Sequence, residues 1–512
     1  MVRASSRRRL AMSVALPVAV AVGACGLATG AAPASGQFAG AHAAAAERPT
    51  LSLRAAADKV VGERYGSATY VDLGTHLVAG EVPFEVRTTR HPSYRRPVEA
   101  VLVVGEADSA SNGETDDVPL APSMVDSFRG MQDFVRLRVR NSDGRKLVDS
   151  TRNYCVPGKG VRTEPGAPDT SPYPEFLGCP SHPFTLGSVM GIQAGWGSPV
   201  LGPYGIRLRV PLGRYAVTVA VTKPYRALLG MSRATAVQTL RLRVVPGDEE
   251  CREGLGRGCR VQETAERPAP AYRPDGREPA SDVAAPDGTP LPDLRSLPST
   301  GISVRGGHYL AFGATVWNAG PSPLVVDGFR RADEDVMDSY QYFYGIDGEP
   351  AGHARVGTMV WDPRQGHVHW HFKDFARYRL LDAGGSAVVR SKKEAFCLAA
   401  TDAVDYTVPG ANWEPWNTDL ETACGGSGSL AVREVLDAGS GDTYGQYRPG
   451  QSFNLDGLPD GRYFISVEAN PRHSLHEADL TNNDALRRVR IGTAPDGDRT
   501  VRVFDVGLVH TR

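Results

Sequence analysis

Gly366-His367-Val368-His369-Trp370-His371 places three histidines at alternate positions of the chain. In a β-strand, side chains at i, i+2 and i+4 project from the same face of the sheet. The other parity is apolar apart from Asp374, through Val368, Trp370, Phe372, Ala376, Tyr378 and Leu380. This alternation predicts β-structure with one face in a hydrophobic core and three imidazoles gathered on the other.

Three imidazoles on one strand face make a ligand set for a single transition-metal ion. Imidazole suits zinc in a hydrolytic site and copper in a redox site, so the histidines by themselves name neither metal. The alternative is a solvated, histidine-rich surface strand, and the consistently apolar opposite face argues against it. The pattern therefore predicts a metal centre at His367, His369 and His371.

The composition favours β-structure with many turns, because the chain has 57 glycines and 38 prolines. A length of 512 residues allows about two or three domains. The net charge of -1 gives no electrostatic case for binding nucleic acid or an anionic membrane. No glycine-rich phosphate loop opens a helix, so a nucleotide cofactor is not expected.

The N-terminus has the pattern of an export signal. Arginines at 3, 7, 8 and 9 precede an apolar run from Leu10 to about Leu27. Cleavage is expected near Ala43 to Ala46, and Val22-Gly23-Ala24-Cys25 offers an alternative that resembles a lipoprotein box. The chain is therefore expected to be secreted, or else anchored at the cell surface through a lipid on Cys25.

Six cysteines follow Cys25 and support export, because an oxidising compartment permits disulfides. They fall in consecutive pairs along the chain. We predict the bridges Cys155–Cys179, Cys251–Cys259 and Cys397–Cys424.

Shifts in composition divide the chain into five segments. Residues 1–48 are the signal and a disordered Ala/Gly-rich segment, 49–247 a first β domain, 248–290 a cysteine loop and proline-rich linker, 291–492 a second β domain, and 493–512 a tail with a possible edge strand. The histidines of the first domain, His76, His91 and His182, are scattered, which favours a structural or binding module. We expect an all-β protein of two β-sandwich-like domains, with the chemistry in the second.

Two segments of the second domain extend the histidine motif. Lys393 to Leu398 reads Lys-Glu-Ala-Phe-Cys-Leu, and Gly441 to Gly445 reads Gly-Asp-Thr-Tyr-Gly. With the histidines, they resemble the catalytic domain of the lysyl oxidase family. The opening Leu291 to Leu294 and the closing Asn470-Pro471 with Glu477 to Asn483 are also similar to that family. The resemblance covers roughly residues 291–492, in order, and is to the bacterial branch because the many cysteines of the animal enzymes are missing.

The resemblance implies a copper-dependent, protein-lysine 6-oxidase-like amine oxidase. Copper would be held by the three histidines, and Lys393 and Tyr444 would form the built-in cofactor lysine tyrosylquinone. The implied reaction converts primary amines, such as lysine side chains or related amines, to aldehydes with O2. It releases hydrogen peroxide and ammonia.

One departure from the family concerns the catalytic base. Animal members have a histidine shortly before a Tyr-x-Leu-Leu segment, and Arg377 stands at the matching position here. Proton abstraction would then fall to another group, with Asp374 and Asp442 as candidates between which the sequence does not choose.

A second cation site is expected near the end of the second domain. Glu477, Asp479, Asn482 and Asn483 offer hard oxygen ligands within one short segment, which suits calcium. The alternative is a polar turn that caps the last strand. The family resemblance adds Asp293 and the backbone carbonyl of Leu294, which would tie the start of the domain to its end.

Two readings from other classes stay open. The segment from Val316 to Gly320, with Val467-Glu468 and Asn482-Asn483, also resembles Ig-like repeats, so the chain could be a non-catalytic, metal-stabilised binding module at the cell surface. The Lys393/Tyr444 pair discriminates, because a binding module has no need of it. A zinc hydrolase is disfavoured, because no recognisable motif supplies a carboxylate base.

Overall fold

The computed structural model describes residues 48–104, 117–157, 160–175, 178–202, 204–247, 278–332, 334–345, 348–364, 368–391, 393, 395–414 and 424–509. The predicted export signal, Cys25, the Cys251–Cys259 bridge and most of the proline-rich linker lie outside these residues. His367 does so as well. No helix within the described ranges is long and apolar enough to cross a membrane.

The first half of the chain forms fifteen described strands and two short helices. They are β1 (Leu51–Ala55), β2 (Lys59–Tyr65), β3 (Ala68–Val71), β4 (Thr75–Ala79), β5 (Phe84–Thr89), β6 (Glu99–Val103), β7 (Val118–Leu120), β8 (Met131–Arg140), β9 (Lys146–Tyr154), β10 (Val161–Arg162), β11 (Gly187–Ile192), β12 (Trp196–Pro199), β13 (Ile206–Leu208), β14 (Gly213–Val221), α1 (Lys223–Leu228), α2 (Arg233–Ala236) and β15 (Val237–Pro246). The sheets run β1-β4-β12-β10, β11-β5-β6-β7 and β13-β3-β2-β15-β14-β8-β9. Their inner faces share one hydrophobic core.

The second half contributes the remaining described strands. They are β16 (Leu294–Ser296), β17 (Thr300–Arg305), β18 (Tyr309–Asn318), β19 (Leu324–Arg330), β20 (Val336–Tyr344), β21 (Pro350–Asp362), β22 (His369–Lys373), β23 (Ala376–Leu381), β24 (Ala387–Arg390), β25 (Ala395–Phe396), β26 (Asp402–Ala403), β27 (Ala431–Leu436), β28 (Ser440–Tyr444), β29 (Ser452–Asn454), β30 (Gly461–Ala469), β31 (Asp484–Thr493) and β32 (Arg499–Val503). Three sheets follow the orders β16-β18-β28-β26 (with β17 and β29 on β18), β25-β22-β21-β20-β19-β27 and β24-β23-β30-β31-β32. They enclose a second core.

This architecture confirms the predicted all-β class. The apolar stripe opposite the histidines packs in the second core, with Trp370, Phe372, Tyr378 and Leu380 at most 2% exposed. Val368 is the exception at 58% exposed, and its assignment to the stripe was wrong. The reason is that β22 begins only at His369, so Val368 precedes the pleat that turns alternate side chains inward.

The two halves also contact each other directly. The backbone N–H groups of Leu186 and Gly187 donate to the carbonyl of Val404, and Tyr406 N–H donates to the carbonyl of Gly187 at 3.1 Å. A small hydrophobic cluster spans this contact and contains Phe184, Leu186, Leu297, Trp317 and Val404. Residues 46–512 form one compact unit. The proposed domain boundaries stay a prediction.

Candidate metal and cofactor site

The histidine strand presents two described imidazoles side by side. The rings of His369 and His371 have centroids 4.5 Å apart, while Trp370 between them points into the core. The neighbouring strand places Asp362 opposite His369 in register. His367, the third predicted ligand, lies outside the described residues, and among those described no three His, Cys, Asp or Glu side chains are grouped as a metal site. The predicted metal centre is therefore untested as a set of three.

Lys393 and Tyr444 meet despite lying 51 positions apart (444 − 393). The Lys393 Nζ atom lies 4.2 Å from the centroid of the Tyr444 ring. The lysine is only 8% exposed, and its Nζ donates to the carbonyl of Ala395 at 3.1 Å. A buried amine therefore lies over the ring of a tyrosine that is distant in the sequence.

Backbone pairing explains how these segments come together. Strand β25, which follows Lys393, pairs with the histidine strand through Phe372 and Phe396. The next residue, Cys397, accepts a hydrogen bond from the Tyr444 hydroxyl at 3.0 Å and donates its N–H to that oxygen at 2.8 Å. Tyr444 on β28 is thereby hydrogen-bonded to the segment that pairs with β22, the strand of His369 and His371.

A disulfide fixes the same segment. The structure contains Cys397–Cys424 and Cys155–Cys179, two of the three predicted bridges. The carbonyl of Cys424 accepts the backbone N–H of Trp370 at 3.0 Å. One bridge thus connects the strand of His369 and His371 with the backbone that holds the Tyr444 hydroxyl.

Burial controls the electrostatics of the pair. Burial lowers the pKa of the Lys393 ammonium to about 8, against the opposing attraction of Asp442. The nearby guanidinium groups of Arg364 and Arg448 lower it further. Burial, followed by the negative charge of Asp442, raises the pKa of the Tyr444 phenol. The neutral, nucleophilic form of the Lys393 amine is therefore reached at a lower pH than it is for an exposed lysine.

The two candidate bases, Asp442 and Asp374, lie in different environments. Asp442 is 4% exposed, burial raises its pKa, and Lys393 opposes that rise. Its Oδ2 atom is buried and has no hydrogen-bond partner among the described residues. Asp374 lies instead in the β22–β23 turn, where Arg472 pairs with it at 3.1 Å. Arg377 holds Glu468 through hydrogen bonds of 2.8 and 2.7 Å, so it is engaged with another strand.

Three further residues support the site, and nothing in their sequence context indicated it. Gly450 has φ +82°, and a Cβ there would lie 2.9 Å from the Lys393 Cβ, so glycine is needed for this close approach. Glu434 is fully buried and accepts the N–H of Leu398 at 2.9 Å. His182, from the first half of the chain, lies 3.1 Å from Thr315 Oγ1, which is 2.8 Å from Thr443 Oγ1.

The predicted calcium ligands also lie together. Glu477 Oε2 accepts the backbone N–H of Leu294 at 2.8 Å. Asn482 Nδ2 donates to Asp293 Oδ1 at 3.0 Å and to Asp479 Oδ2 at 3.1 Å. The Oδ1 atoms of Asn482 and Asn483 are buried with no hydrogen-bond partner in the described part of the chain. Unpaired buried amide oxygens beside carboxylates are the ligand type that calcium prefers.

The structure is therefore that of an all-β protein whose second half carries a candidate site made of histidines, a buried lysine and a tyrosine. Residues 350–494 match the lysyl oxidase family model. This match confirms, for that segment, the resemblance to the lysyl oxidase family that the motifs indicated.

Curated relatives match the same part of the chain. Human lysyl oxidase homolog 1 is 30% identical over 126 residues, which are 24% of this chain and 19% of that protein. Human protein-lysine 6-oxidase is 31% identical over 125 residues, 24% of this chain and 26% of that protein. Human lysyl oxidase homolog 4 is 28% identical over 130 residues, 25% and 15% respectively. The chain thus spans about a quarter or less of the length of these relatives.

Proposed function

We propose that this protein is a secreted, copper-dependent amine oxidase that carries lysine tyrosylquinone. It would convert primary amines to aldehydes with O2 and water, which supplies the aldehyde oxygen, and release hydrogen peroxide and ammonia. The observation that carries the proposal is the 4.2 Å separation between Lys393 Nζ and the centroid of the Tyr444 ring. Family membership of residues 350–494 supports it.

The donor set fits the proposed metal. His369 and His371 are adjacent on one strand face, and imidazole is a favoured ligand of copper. His367 would complete the set through the same alternation. Copper and the quinone, when present, supply the redox chemistry that amino-acid side chains lack.

The chain's own residues supply position and proton transfer. Burial lowers the pKa of Lys393 to about 8, which makes the neutral amine needed for bond formation with the Tyr444 ring easier to reach. The two hydrogen bonds to Cys397 hold the Tyr444 hydroxyl and fix the ring beneath the amine. Asp442 is the proposed base, because its buried Oδ2 is available to accept the α-proton of a bound amine.

The proposed substrate is a primary amine with an α-hydrogen. Lysine side chains, in peptides or free, and related amines satisfy this requirement, because loss of the α-proton is what yields an aldehyde. The non-catalytic alternative, a metal-stabilised binding module, gives no reason to bury Lys393 against Tyr444.

We also propose calcium at Asp293, Leu294, Glu477, Asp479, Asn482 and Asn483. The ion would join β16 to the segment between β30 and β31. Its role would be structural, because this cluster is built from strand ends rather than from residues around Lys393 and Tyr444.

The test compares copper-loaded wild type with Lys393→Ala and Tyr444→Phe. The wild type should yield a cross-linked Lys393–Tyr444 peptide in mass spectrometry, a visible quinone band, and hydrogen peroxide from primary amines. Each variant should lose all three signals, because each removes one half of the cofactor. Tyr444→Phe should still bind copper, because the histidines are intact.

Lys392→Ala is the matched control, since it removes the neighbouring lysine and should keep the cross-link. Full amine oxidation by Tyr444→Phe would refute the proposed mechanism. Copper binding without any cross-link in the wild type would favour the binding module.

A further inference from the structure

One face of the first half of the chain concentrates positive charge. Arg136, Arg138 and Arg140 on β8 alternate with Leu137 and Val139, which are fully buried. The three arginines therefore project together from the outer face of the seven-stranded sheet. Along a strand, such side chains recur about every 7 Å.

The two neighbouring strands extend this arrangement. In register, Arg140 lies opposite Ala216, and Ala216 lies opposite Arg241 on the next strand. Arg214 lies directly opposite Arg243. We call Arg136, Arg138, Arg140, Arg214, Arg241 and Arg243 the arginine face. Its strands, β8, β14 and β15, are adjacent in the sheet.

Acidic partners compensate only part of this charge. Asp149 accepts hydrogen bonds from both Arg136 and Arg138, at 2.7 and 3.2 Å. Asp58 pairs with Arg241. Asp149 and Asp58 are the carboxylates that contact any of these six guanidinium groups in the described part of the chain, and Glu63, opposite Val245 on the neighbouring strand β2, adds a third negative charge to the same face. Like charges directly opposite each other, such as Arg214 and Arg243, destabilise a sheet, so a bound anion would relieve a cost that the fold carries.

The side chains between the arginines are short. The outward positions of β14 and β15 that separate them are short side chains, including Ala216, Thr218 and Thr239. On these three strands the described outward side chains include no aromatic ring for base stacking, and the apolar ones are only alanine and valine. Recognition there is limited to charge at regular spacing.

We propose that the arginine face binds a linear phosphodiester polymer that carries its charge in a thin backbone. Guanidinium forks pair well with phosphate oxygens, and a thin chain can lie along the short side chains between them. The net charge of -1 hides this local concentration of charge.

The test measures binding of the full chain to fluorescent poly(glycerol phosphate) over a series of salt concentrations. The variant Arg140→Gln/Arg214→Gln/Arg243→Gln removes three charges and leaves the partners of Asp149 and Asp58 in place. Its affinity should fall at least about tenfold, and the slope of log K against log[salt] should decrease by about 2 to 3. Copper is not needed, so this result is independent of the proposed amine oxidation.

The matched control is Arg462→Gln/Arg490→Gln/Arg502→Gln, which removes three arginines that are in register on β30, β31 and β32. It should bind as the wild type does. Equal losses in both triple variants, or no binding by the wild type, would overturn the proposal. Tighter binding of duplex DNA or of anionic vesicles than of poly(glycerol phosphate) would overturn the choice of ligand. The single variant Arg214→Gln, expected to bind a few-fold more weakly, serves if the triple variant does not fold.

Discussion

At the scale of single residues, the protonation state of the Lys393 amine is central to the proposed chemistry. The Lys393 Nζ atom has the carbonyl of Ala395 as a hydrogen-bond acceptor and the rings of Phe396 and Tyr444 as neighbours, 4.8 and 4.2 Å from their centroids. Little of this environment solvates an ammonium ion as water does, which is why burial is the largest cause of its lowered pKa. A depressed lysine pKa is a common way to activate a nucleophile.

Formation of the cofactor should therefore depend on pH. Below a pKa of about 8 the Lys393 amine is protonated and cannot form the new bond, and above it the amine is neutral. After copper addition, the visible band should appear faster as pH rises, with a midpoint near 8. In Arg448→Gln the midpoint should move upward, because the Arg448 charge lowers the Lys393 pKa. A rate that does not change across neutral and alkaline pH would contradict this account.

Replacing the proposed base should slow proton abstraction without preventing cofactor formation. Asp442→Asn should lower kcat by about 10²- to 10⁴-fold, the usual contribution of a general base. Wild-type activity should rise as pH increases through the raised pKa of Asp442. The Asp442→Asn variant should lose this pH dependence. An α-deuterated amine should show a larger isotope effect in the variant. Asp374→Asn, which removes the carboxylate paired with Arg472, is the control, and a comparable loss there would count against Asp442.

At the scale of elements, short strands determine which segments meet. Strand β25 has only two residues, Ala395 and Phe396, yet it carries the segment after Lys393 onto the histidine strand. The Cys397–Cys424 bridge follows it immediately. The segment between β30 and β31 similarly reaches back to β16 through Glu477 and the N–H of Leu294. Both connections join parts of the chain that are far apart in sequence.

Calcium should stabilise the second of these connections. At a concentration about 100 times its Kd, an ion that binds only the folded state contributes about 2.7 kcal/mol. Added calcium should raise the Tm of the wild type in calorimetry, and Glu477→Gln should lose most of that rise. Asp460→Asn changes a carboxylate outside the cluster, so this variant should keep the calcium-induced rise in Tm. Equal stabilisation of all three proteins would exclude this site.

At the scale of the whole molecule, the two halves of the chain pack against each other through apolar and aromatic side chains. Phe184 is 7% exposed, contacts the ring of Tyr94 edge-on at 5.2 Å and lies in the cluster with Trp317 and Val404. Tyr173 stacks on Trp413 with centroids 6.0 Å apart. These contacts bury apolar surface of both halves, so their unfolding should be coupled.

Weakening this contact should separate the two unfolding events. Phe184→Ala should cost about 3 to 5 kcal/mol, the usual range for a buried phenylalanine. Denaturant titration of the wild type should show one transition by tryptophan fluorescence and circular dichroism, whereas Phe184→Ala should show two. Tyr204→Ala removes an aromatic side chain that is 63% exposed, so it should change neither the number of transitions nor their midpoint. A single, unshifted transition in Phe184→Ala would show that the halves are not coupled through this cluster.

The sequence by itself determined the features that depend on local periodicity and order. The alternation of His369, Trp370 and His371 predicted which face of β22 packs in the hydrophobic core, because a strand has a period of two. His371 on the other face is also buried, at 1% exposed, and the alternation did not predict that. Two disulfides followed from consecutive pairing of cysteines. Lys393 and Tyr444 could be singled out only through family motifs, since nothing in their local context brings a lysine to a tyrosine 51 positions away (444 − 393).

Only the tertiary structure decided what surrounds these residues. The negative charge of Asp442 acts on Lys393, and Gly450 lies against the Lys393 side chain. His182, from the other half of the chain, contacts Thr315. The start of β22 at His369 likewise left Val368 in solvent, although its parity matched the core. Contacts between strands of different sheets depend on how the sheets pack, and packing is set by side chains that are distant in sequence and therefore leave no periodic signal in it.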